Sequence, residues 1–305
     1  MRLGKKCQKS LGERYIFVGG VPRSGTTLVQ KILDCHPQIC GIPEFKYTHH
    51  IIQLRNRMRR SVDNQMIDAI CSDTDVDCYI RSLIDSFFTP IIMKHHVKYL
   101  SEKTPWNVLV FEELMELYPK ARFIHVVRDP RAVINSMIMV RKRALKKNLP
   151  VPYFTKTISE SIRTTRKCLD AGFDAARKFP DRVLTILYEQ LLTDLTGETK
   201  KICQFLALDW SSEMIDFNKR NNLAEQSMMV GSNAAYYNTE MYHQNPLAKD
   251  IQEWKDLLSA KERVAIQRAF YNHPDLRKLG YEFNLAYLSG LRKFYGQSVY
   301  TIEAF

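Results

Sequence analysis

One sequence feature constrains the fold of this chain most. It is a short apolar run that leads into a glycine-bounded loop and then into a helix. Residues 15–18 read Tyr-Ile-Phe-Val, which is typical of a strand buried on both faces. Residues 20–27 follow as Gly-Val-Pro-Arg-Ser-Gly-Thr-Thr, and apolar residues then recur at helical spacing until His36-Pro37. A strand, a tight loop and a helix in this order indicate an α/β fold with a parallel sheet.

The rest of the chain continues the alternation of helices and strands, without internal repeats. The pattern predicts helices over 46–96, 105–117, 131–146, 159–178 and 261–271, and further strands over 97–100, 122–127 and 183–187. Thr104 and Asp129 each precede a proline and are expected to cap the helices that follow them. We therefore expect one α/β domain, a parallel central sheet flanked by helices, over 14–285, between a basic segment 1–13 and a tail 286–305.

The charge and the cysteines limit the classes of ligand. With 45 Lys and Arg against 33 Asp and Glu, the chain carries a formal net charge of +12 and favours anionic partners. The sequence has neither zinc-finger spacing nor an RNP-type aromatic motif, so nucleic-acid binding lacks support. Seven cysteines without regular spacing favour reduced or buried thiols over a disulfide framework.

The loop at residues 20–27 has the spacing of a nucleotide-binding P-loop, GxxxxGK[ST], with Thr26 in the position of the lysine. Its glycines let the backbone curl around an anion, and the following helix presents the positive end of its dipole. Ser24, Thr26 and Thr27 add hydroxyl donors, and Arg23 adds a guanidinium that can bind an oxyanion through two hydrogen bonds. Without the lysine that reaches β- and γ-phosphates, the loop suits a short anion better than a triphosphate.

The segment from Phe17 to Leu28 resembles the 5′-phosphosulfate loop of sulfotransferases that use 3′-phosphoadenosine-5′-phosphosulfate (PAPS). It is most similar to tyrosylprotein sulfotransferases and related bacterial enzymes, and the resemblance extends from Tyr15 to about Phe283. The resemblance implies a P-loop-like sulfotransferase fold, PAPS as donor, PAP as product and no metal. It also implies which residues hold the 5′-phosphosulfate: Arg23, Ser24, Gly25, Thr26 and Thr27.

PAPS also carries a 3′-phosphate, which requires a second anion site. Arg128 ends the predicted strand 122–127 beside a helix N-terminus, and Ser136 lies farther along that helix. An Arg and a hydroxyl brought together in this way can bind a terminal phosphate, and the pair is similar to the family's 3′-phosphate motif. By the same resemblance, Tyr188 lies near the adenine and Thr239 is a candidate hydroxyl at the donor.

Sulfuryl transfer needs a base for the acceptor's proton and positive charge at the leaving phosphate oxygen. Lys103 resembles the lysine of the family's Lys-Thr-Pro or Lys-Asp-Pro motif and is the candidate for that charge, with Arg23 sharing the role. Glu44 is the candidate base, because tyrosylprotein sulfotransferases carry a glutamate just after a similar His-Pro…Cys-Gly segment. His49 and His50 are the alternatives, since imidazole titrates near neutral pH.

Two departures from the tyrosylprotein pattern leave the acceptor open. Ser101 stands where those enzymes have a cysteine, and Glu253 stands where they have a lysine before Trp254. The expected acceptor is a hydroxyl on a peptide tyrosine, a glycan, or a small alcohol or phenol, and the basic surface suits an acidic peptide or glycan. The alternatives to a sulfotransferase are a P-loop nucleotide kinase or phosphotransferase and a non-catalytic anion-binding protein.

The sequence also bears on location and assembly. No apolar stretch reaches the roughly 20 residues that a membrane span needs, and the basic start lacks the apolar core of a signal peptide. The chain as given is expected in the cytoplasm, whereas a chain cut from an anchored luminal protein belongs in the Golgi lumen. A homodimer is compatible with the sequence.

Overall fold

Five parallel strands form a single central sheet in the order β2-β3-β1-β4-β5. The structure, a computed structural model, describes residues 10–216, 235 and 251–283. The strands are β1 (Tyr15–Gly20), β2 (Ile39–Ile42), β3 (Tyr99–Lys103), β4 (Arg122–Val127) and β5 (Val183–Leu187). This confirms the predicted α/β fold with a parallel sheet, while the domain limits at residues 14 and 285 stay predictions.

Eleven helices in the described ranges connect and cover the strands. They are α1 (Thr26–Asp34), α2 (Thr48–Asp63), α3 (Asp73–His95), α4 (Phe111–Leu117), α5 (Pro130–Lys146), α6 (Ile158–Lys178), α7 (Tyr188–Thr193), α8 (Leu195–Leu206), α9 (Trp254–Leu257), α10 (Ala260–Phe270) and α11 (Pro274–Lys278). Short 3₁₀ helices lie at Gly12–Arg14, Pro105–Val110, Tyr153–Thr155 and Ser212–Ile215. None of these helices combines the length and the apolar character needed to cross a lipid bilayer.

The two faces of the sheet bury two separate hydrophobic cores because side chains alternate along each strand. Tyr15 and Phe17 of β1 pack with Phe88 of α3 and Phe123 of β4 in the larger core. Ile16 and Val18 point to the other face, where the core is completed mainly by α1 and α8. Strands that are buried on both faces explain the continuous apolar run at residues 15–18.

Most of the predicted elements are confirmed, and the differences have local causes. Strand β2 was not expected, because four apolar residues at the edge of a sheet are too few to show a pattern. The predicted helix 105–117 begins as a 3₁₀ helix, and Thr104 does not cap it, because its hydroxyl donates to Glu102 instead. Asp129 does cap α5, since its carboxylate accepts the backbone N–H of Arg131 at 2.8 Å.

The cysteines of the described ranges follow the expectation except at Cys78. The free cysteines of the described ranges are all buried: Cys35, Cys40, Cys71, Cys168 and Cys203. Cys78, on α3, is instead bonded in a disulfide, which the expectation of reduced thiols did not include. Cys40 needs no disulfide partner to be buried, and burial raises its pKa to about 11.

Candidate active site

The carboxyl ends of β1, β3 and β4 lie side by side, because neighbouring strands of a parallel sheet run in the same direction. In the register of the sheet, Val18 of β1 is opposite Lys103 of β3, and Gly20 of β1 is opposite Val126 of β4. The loop that follows Gly20 therefore lies between the end of β3, with Lys103, and the end of β4, with Arg128. The sheet thus brings the predicted phosphate loop and two predicted cations to one edge.

The loop bends sharply at two residues with left-handed backbone conformations. Gly25 has φ 101° and Arg23 has φ 78°, a conformation that a non-glycine residue rarely adopts. A Cβ on Gly25 would lie 2.3 Å from Cδ2 of Tyr188, so only glycine lets the Tyr188 ring pack against the loop. The loop therefore sits directly on the side chain that was predicted to lie near the adenine.

Ser24, within the loop, carries a buried hydroxyl that lacks a hydrogen-bond partner in the described part of the chain. Ser24 is fully buried, and in the described part of the chain nothing bonds to its Oγ. An unsatisfied buried polar group costs roughly 1–3 kcal/mol, a cost that an acceptor oxygen placed in the loop would remove. Together with the N-terminus of α1, this donor fits an anion.

Arg128 and Ser136 lie together with the loop at this edge of the sheet. The Nε of Arg23 donates to Oγ of Ser136 at 3.1 Å, and Nη1 of Arg128 donates to the carbonyl oxygen of Arg23 at 3.4 Å. The guanidinium of Arg128 also lies over the ring of Tyr188, 4.2 Å from its centroid. Its Nε is buried and, among the residues that the structure describes, has no hydrogen-bond partner. The two residues predicted for the 3′-phosphate therefore adjoin the loop, and Arg128 carries an unused donor.

Lys103 and Glu44 form an ion pair beside the loop. The distance from Nζ of Lys103 to Oε1 of Glu44 is 2.5 Å, and Nζ also donates to Oγ1 of Thr27 at 3.2 Å. The Lys103 side chain is fully buried, whereas the Glu44 side chain keeps 20% of its surface exposed. The ammonium is thus fixed next to the phosphate loop, and the carboxylate can be reached from solvent.

Glu102, immediately before Lys103, is a residue of the site that the sequence analysis missed. It is fully buried and accepts hydrogen bonds from Oγ1 of Thr104 and Nδ2 of Asn107, both at 2.6 Å. It also accepts the N–H of Phe45 at 3.2 Å and the hydroxyl of Thr48 at 3.4 Å. Burial raises the pKa of Glu102, and the hydrogen bonds from Thr104 and Asn107 act in the opposite direction.

These bonds tie the segment that carries Glu44 to the end of β3. Because Phe45 and Thr48 belong to that segment, Glu102 holds Glu44 next to Lys103. The signal in the sequence was a charged residue inside a strand that is otherwise buried, followed by a hydroxyl and an amide at Thr104 and Asn107.

The two histidines that are the alternatives to Glu44 contact each other. The rings of His49 and His50 are 3.8 Å apart, and no hydrogen bond joins either ring to Glu44 or Lys103 in the part of the chain the structure describes. Burial, followed by the charge of His50, lowers the pKa of His49 to about 4. A group with so low a pKa is a weak base at neutral pH.

Of the two positions that depart from the tyrosylprotein pattern, Ser101 has a structural partner. Ser101 donates its hydroxyl to Oε1 of Gln30 at 2.6 Å, which ties β3 to α1. Trp254, next to Glu253, stacks under the guanidinium of Arg131, 4.3 Å from the ring centroid. Thr239 lies outside the described residues. Within the described ranges, no group of three or more His, Cys, Asp or Glu side chains is arranged to hold a metal ion.

Comparison with known proteins identifies what the chain is similar to. The sequence profile described as "Sulfotransferase family" matches residues 15–212. Protein-tyrosine sulfotransferase A of Caenorhabditis elegans is 26% identical over 284 residues, 88% of this chain and 68% of the worm protein. Human protein-tyrosine sulfotransferase 1 is 39% identical over 128 residues, 40% of this chain and 33% of the human protein. The chain thus spans about two thirds of the first relative's length and one third of the second's.

Solved structures share the architecture. The sulfotransferase domain from the curacin biosynthetic pathway superimposes with a TM-score of 0.59 at 19% identity, covering 88% of this chain and 98% of that domain. A mouse sulfotransferase solved in complex with PAP superimposes with a TM-score of 0.54 at 15% identity, covering 88% of each chain. At these identities, the likeness establishes the fold alone.

Proposed function

The chain belongs to the sulfotransferase family, and on that premise we propose that it transfers the sulfuryl group of PAPS to a tyrosine hydroxyl of a protein or peptide. The relatives named protein-tyrosine sulfotransferases support this acceptor. The mouse sulfotransferase in complex with PAP supports the donor. The observation that carries the proposal is a pair of adjoining anion pockets, linked by the hydrogen bond from Arg23 to Ser136.

The first pocket is assigned to the 5′-phosphosulfate. Ser24 holds a buried donor atom without a partner in the described ranges, which supports an oxyanion as the missing acceptor. Thr26 and Thr27 add hydroxyls at the first turn of α1, and Gly25 gives the backbone the bend that surrounds the anion. Thr26 in place of a P-loop lysine favours this short anion over a triphosphate.

The second pocket is assigned to the 3′-phosphate and the adenine. Arg128 can offer two parallel hydrogen bonds to a phosphate, and the Ser136 hydroxyl is available at the same place through its bond with Arg23. The Tyr188 ring, covered on one side by Arg128, provides a flat surface for the base. Thr239 remains a predicted contact of the donor.

The transfer step is assigned to Lys103 and Glu44. Glu44 accepts the proton of the acceptor hydroxyl as the oxygen forms its bond to sulfur, and the bond from sulfur to the phosphate oxygen breaks. Lys103 donates to that phosphate oxygen as negative charge develops on it, and Arg23 assists. Because Lys103 is paired with Glu44 beforehand, its move to the phosphate would free the carboxylate to act as the base. PAP and the sulfated acceptor leave, and the proton goes to solvent.

The remaining expectations about the partners stay predictions. An acidic peptide or a glycan as acceptor would match the net charge of +12. A homodimer, and the cytoplasm or the Golgi lumen as the site of action, are likewise predictions from the sequence.

A comparison of ligands in thermal unfolding tests the donor assignment. A ligand that binds only the folded protein stabilises it and raises its unfolding temperature. At a ligand concentration of 100 times Kd, the free energy of unfolding rises by about 2.7 kcal/mol. We expect PAP to stabilise the protein without magnesium, and ATP with magnesium or an oligonucleotide to do so much less. A larger shift with ATP and magnesium would favour a phosphotransferase, and a larger shift with the oligonucleotide would favour an anion-binding protein. Transfer of labelled sulfate from PAPS to a tyrosine peptide completes the test.

A further inference from the structure

Glu189, the residue after Tyr188, joins two segments that carry residues of the donor site. Its Oε1 accepts the backbone N–H of Asp129, the residue after Arg128, at 2.9 Å. The guanidinium of Arg128 lies 4.2 Å from the centre of the Tyr188 ring. Two neighbouring contacts, one between side chains and one through the Glu189 carboxylate, therefore tie the turn between β4 and α5 to the start of α7.

The second oxygen of Glu189 accepts a hydrogen bond from a residue near the end of the described chain. The hydroxyl of Tyr281 donates to Oε2 of Glu189 at 2.6 Å. Burial, followed by the negative charge of Glu189, raises the pKa of Tyr281, so the hydroxyl keeps the proton that it donates. A short hydrogen bond to a carboxylate is stronger than one between neutral groups. Glu189 is thus fixed through both of its oxygens.

Arg131 attaches the segment 281–283 directly to the turn after β4. Its guanidinium donates to the carboxylate of Asp129 at 2.7 Å and to the carbonyl oxygen of Glu282 at 3.0 Å. The same guanidinium lies 4.9 Å from the centre of the Phe283 ring. The segment that carries the tyrosine hydroxyl is therefore fixed relative to the turn that carries the predicted 3′-phosphate residue.

We propose that Glu189 and Tyr281 are positioning residues that hold Arg128 in the arrangement that binds the 3′-phosphate of the donor. This inference rests on the proposed function. Among the residues that the structure describes, the guanidinium of Arg128 makes one hydrogen bond, the 3.4 Å bond to the carbonyl oxygen of Arg23. Its place therefore depends on the backbone that follows it and on the ring of Tyr188. A group that is already held in its binding geometry loses less freedom when the ligand binds.

Isothermal titration of PAP and 5′-AMP into the Tyr281→Phe variant tests this role. The substitution keeps the ring and every charge, and it removes the hydroxyl that donates to Glu189. We expect PAP to bind about three- to tenfold more weakly and 5′-AMP to stay within about twofold, because only PAP carries the 3′-phosphate. In steady-state sulfation of a tyrosine peptide, the KM for PAPS should rise by the same factor, with kcat within about twofold.

Tyr118→Phe is the matched control for the loss of a tyrosine hydroxyl bonded to a carboxylate. The hydroxyl of Tyr118 donates to Oδ1 of Asp85 at 3.0 Å. Tyr118 comes before the amino end of β4, whereas Arg128 follows its carboxyl end. Both variants should unfold at a lower temperature than the unaltered protein. Only Tyr281→Phe should lose affinity for PAP.

Substitutions of Glu189 separate positioning from a plain effect of charge. Removing a negative charge near a phosphate site would by itself strengthen the binding of PAP. Glu189→Ala should instead weaken it about five- to twentyfold, because both hydrogen bonds are lost. Glu189→Gln keeps one acceptor oxygen and should lose less. In the Arg128→Ala background, Tyr281→Phe should weaken PAP by less than about twofold, because the group that it positions is gone.

The outcomes distinguish the positioning role from the proposed function. Unchanged PAP affinity in Tyr281→Phe and Glu189→Ala, equal losses for PAP and 5′-AMP, or a full further loss in the Arg128→Ala background would overturn the role. Tighter binding of PAP by Glu189→Ala would also overturn it. In each of these cases the unaltered protein still binds PAP and sulfates the peptide, so the proposed function stands. If the unaltered protein neither bound PAP nor sulfated a peptide, the proposed function would fail, and the positioning role with it.

Discussion

Replacing Arg128 with alanine distinguishes a site with two anion pockets from a single phosphate loop. The Arg128 guanidinium lies 4.2 Å from the centre of the Tyr188 ring and donates to the carbonyl oxygen of Arg23 at 3.4 Å. Its buried Nε has no partner in the described ranges. The variant removes this cation but keeps the backbone of the loop between Gly20 and Thr27, so only one of the two pockets is lost.

The expected losses differ for nucleotides with and without a 3′-phosphate. A hydrogen bond between charged groups contributes about 1.5–3 kcal/mol, which corresponds to a roughly 10- to 150-fold weaker affinity for PAP. The contact of Arg128 with Tyr188 contributes about 0.5–1 kcal/mol, and its loss affects both nucleotides. We therefore expect 5′-AMP, which lacks the 3′-phosphate, to lose only about two- to fivefold in affinity.

Isothermal titration of PAP and 5′-AMP into the unaltered protein and the Arg128→Ala variant measures both losses. Arg166→Ala is the matched control, because it removes the same charge from an exposed position on α6, where the side chain is 57% exposed. Equal losses for PAP and 5′-AMP would refute the assignment of Arg128 to the 3′-phosphate. A loss of PAP affinity in Arg166→Ala as large as that in Arg128→Ala would show that net charge alone explains the effect.

Three further predictions address the base, the loop and the core. Glu44→Gln should keep PAP affinity within about threefold while sulfate transfer falls at least about 100-fold, and an active variant would move the role to His49 or elsewhere. Gly25→Ala should lose about 1–3 kcal/mol in denaturant unfolding, because its Cβ would meet the Tyr188 ring at 2.3 Å and its φ is 101°; an unchanged midpoint would contradict this geometry. Burial lowers the pKa of His125 to about 3 from the ordinary 6.5, so protons bind the unfolded chain more readily and stability is lost as pH falls below 6.5. Relative to His125→Leu, the free energy of unfolding should fall by about 1.4 kcal/mol per pH unit between pH 6.5 and 4, and parallel pH profiles would count against it.

The parts of the fold that could be predicted are those whose pattern is local. The apolar run of β1 and the helical spacing of α1 follow from burial on both faces of a strand and on one face of a helix. Strand β2 could not be predicted, because its four residues become a strand only through pairing with β3, in which Gly41 lies opposite Ser101. The hydroxyl of Thr104 likewise has two available partners, and only the tertiary structure selects Glu102 over the helix N-terminus.

The same distinction applies to the candidate site. A resemblance over a dozen residues was enough to select the loop, and the strand ends supplied Lys103 and Arg128. Glu102 was missed because a charged residue inside a buried strand is unfavourable until its partners are known. Two of those partners, Phe45 and Thr48, lie 57 and 54 residues away in the sequence, so no spacing rule connects them to Glu102.

A lysine of the neighbouring strand β3 lies beside the loop that lacks the P-loop lysine. A P-loop places its lysine at the position that Thr26 occupies here, at the start of the helix. In this chain, parallel pairing sets Lys103 opposite Val18, and its ammonium comes to 3.2 Å from the hydroxyl of Thr27. We propose that a cation delivered from the side acts on the bond between sulfur and the phosphate oxygen rather than on the far end of a polyphosphate. Because the same ammonium pairs with Glu44, this arrangement would bring charge stabilisation and proton removal to one point, as transfer to a hydroxyl requires.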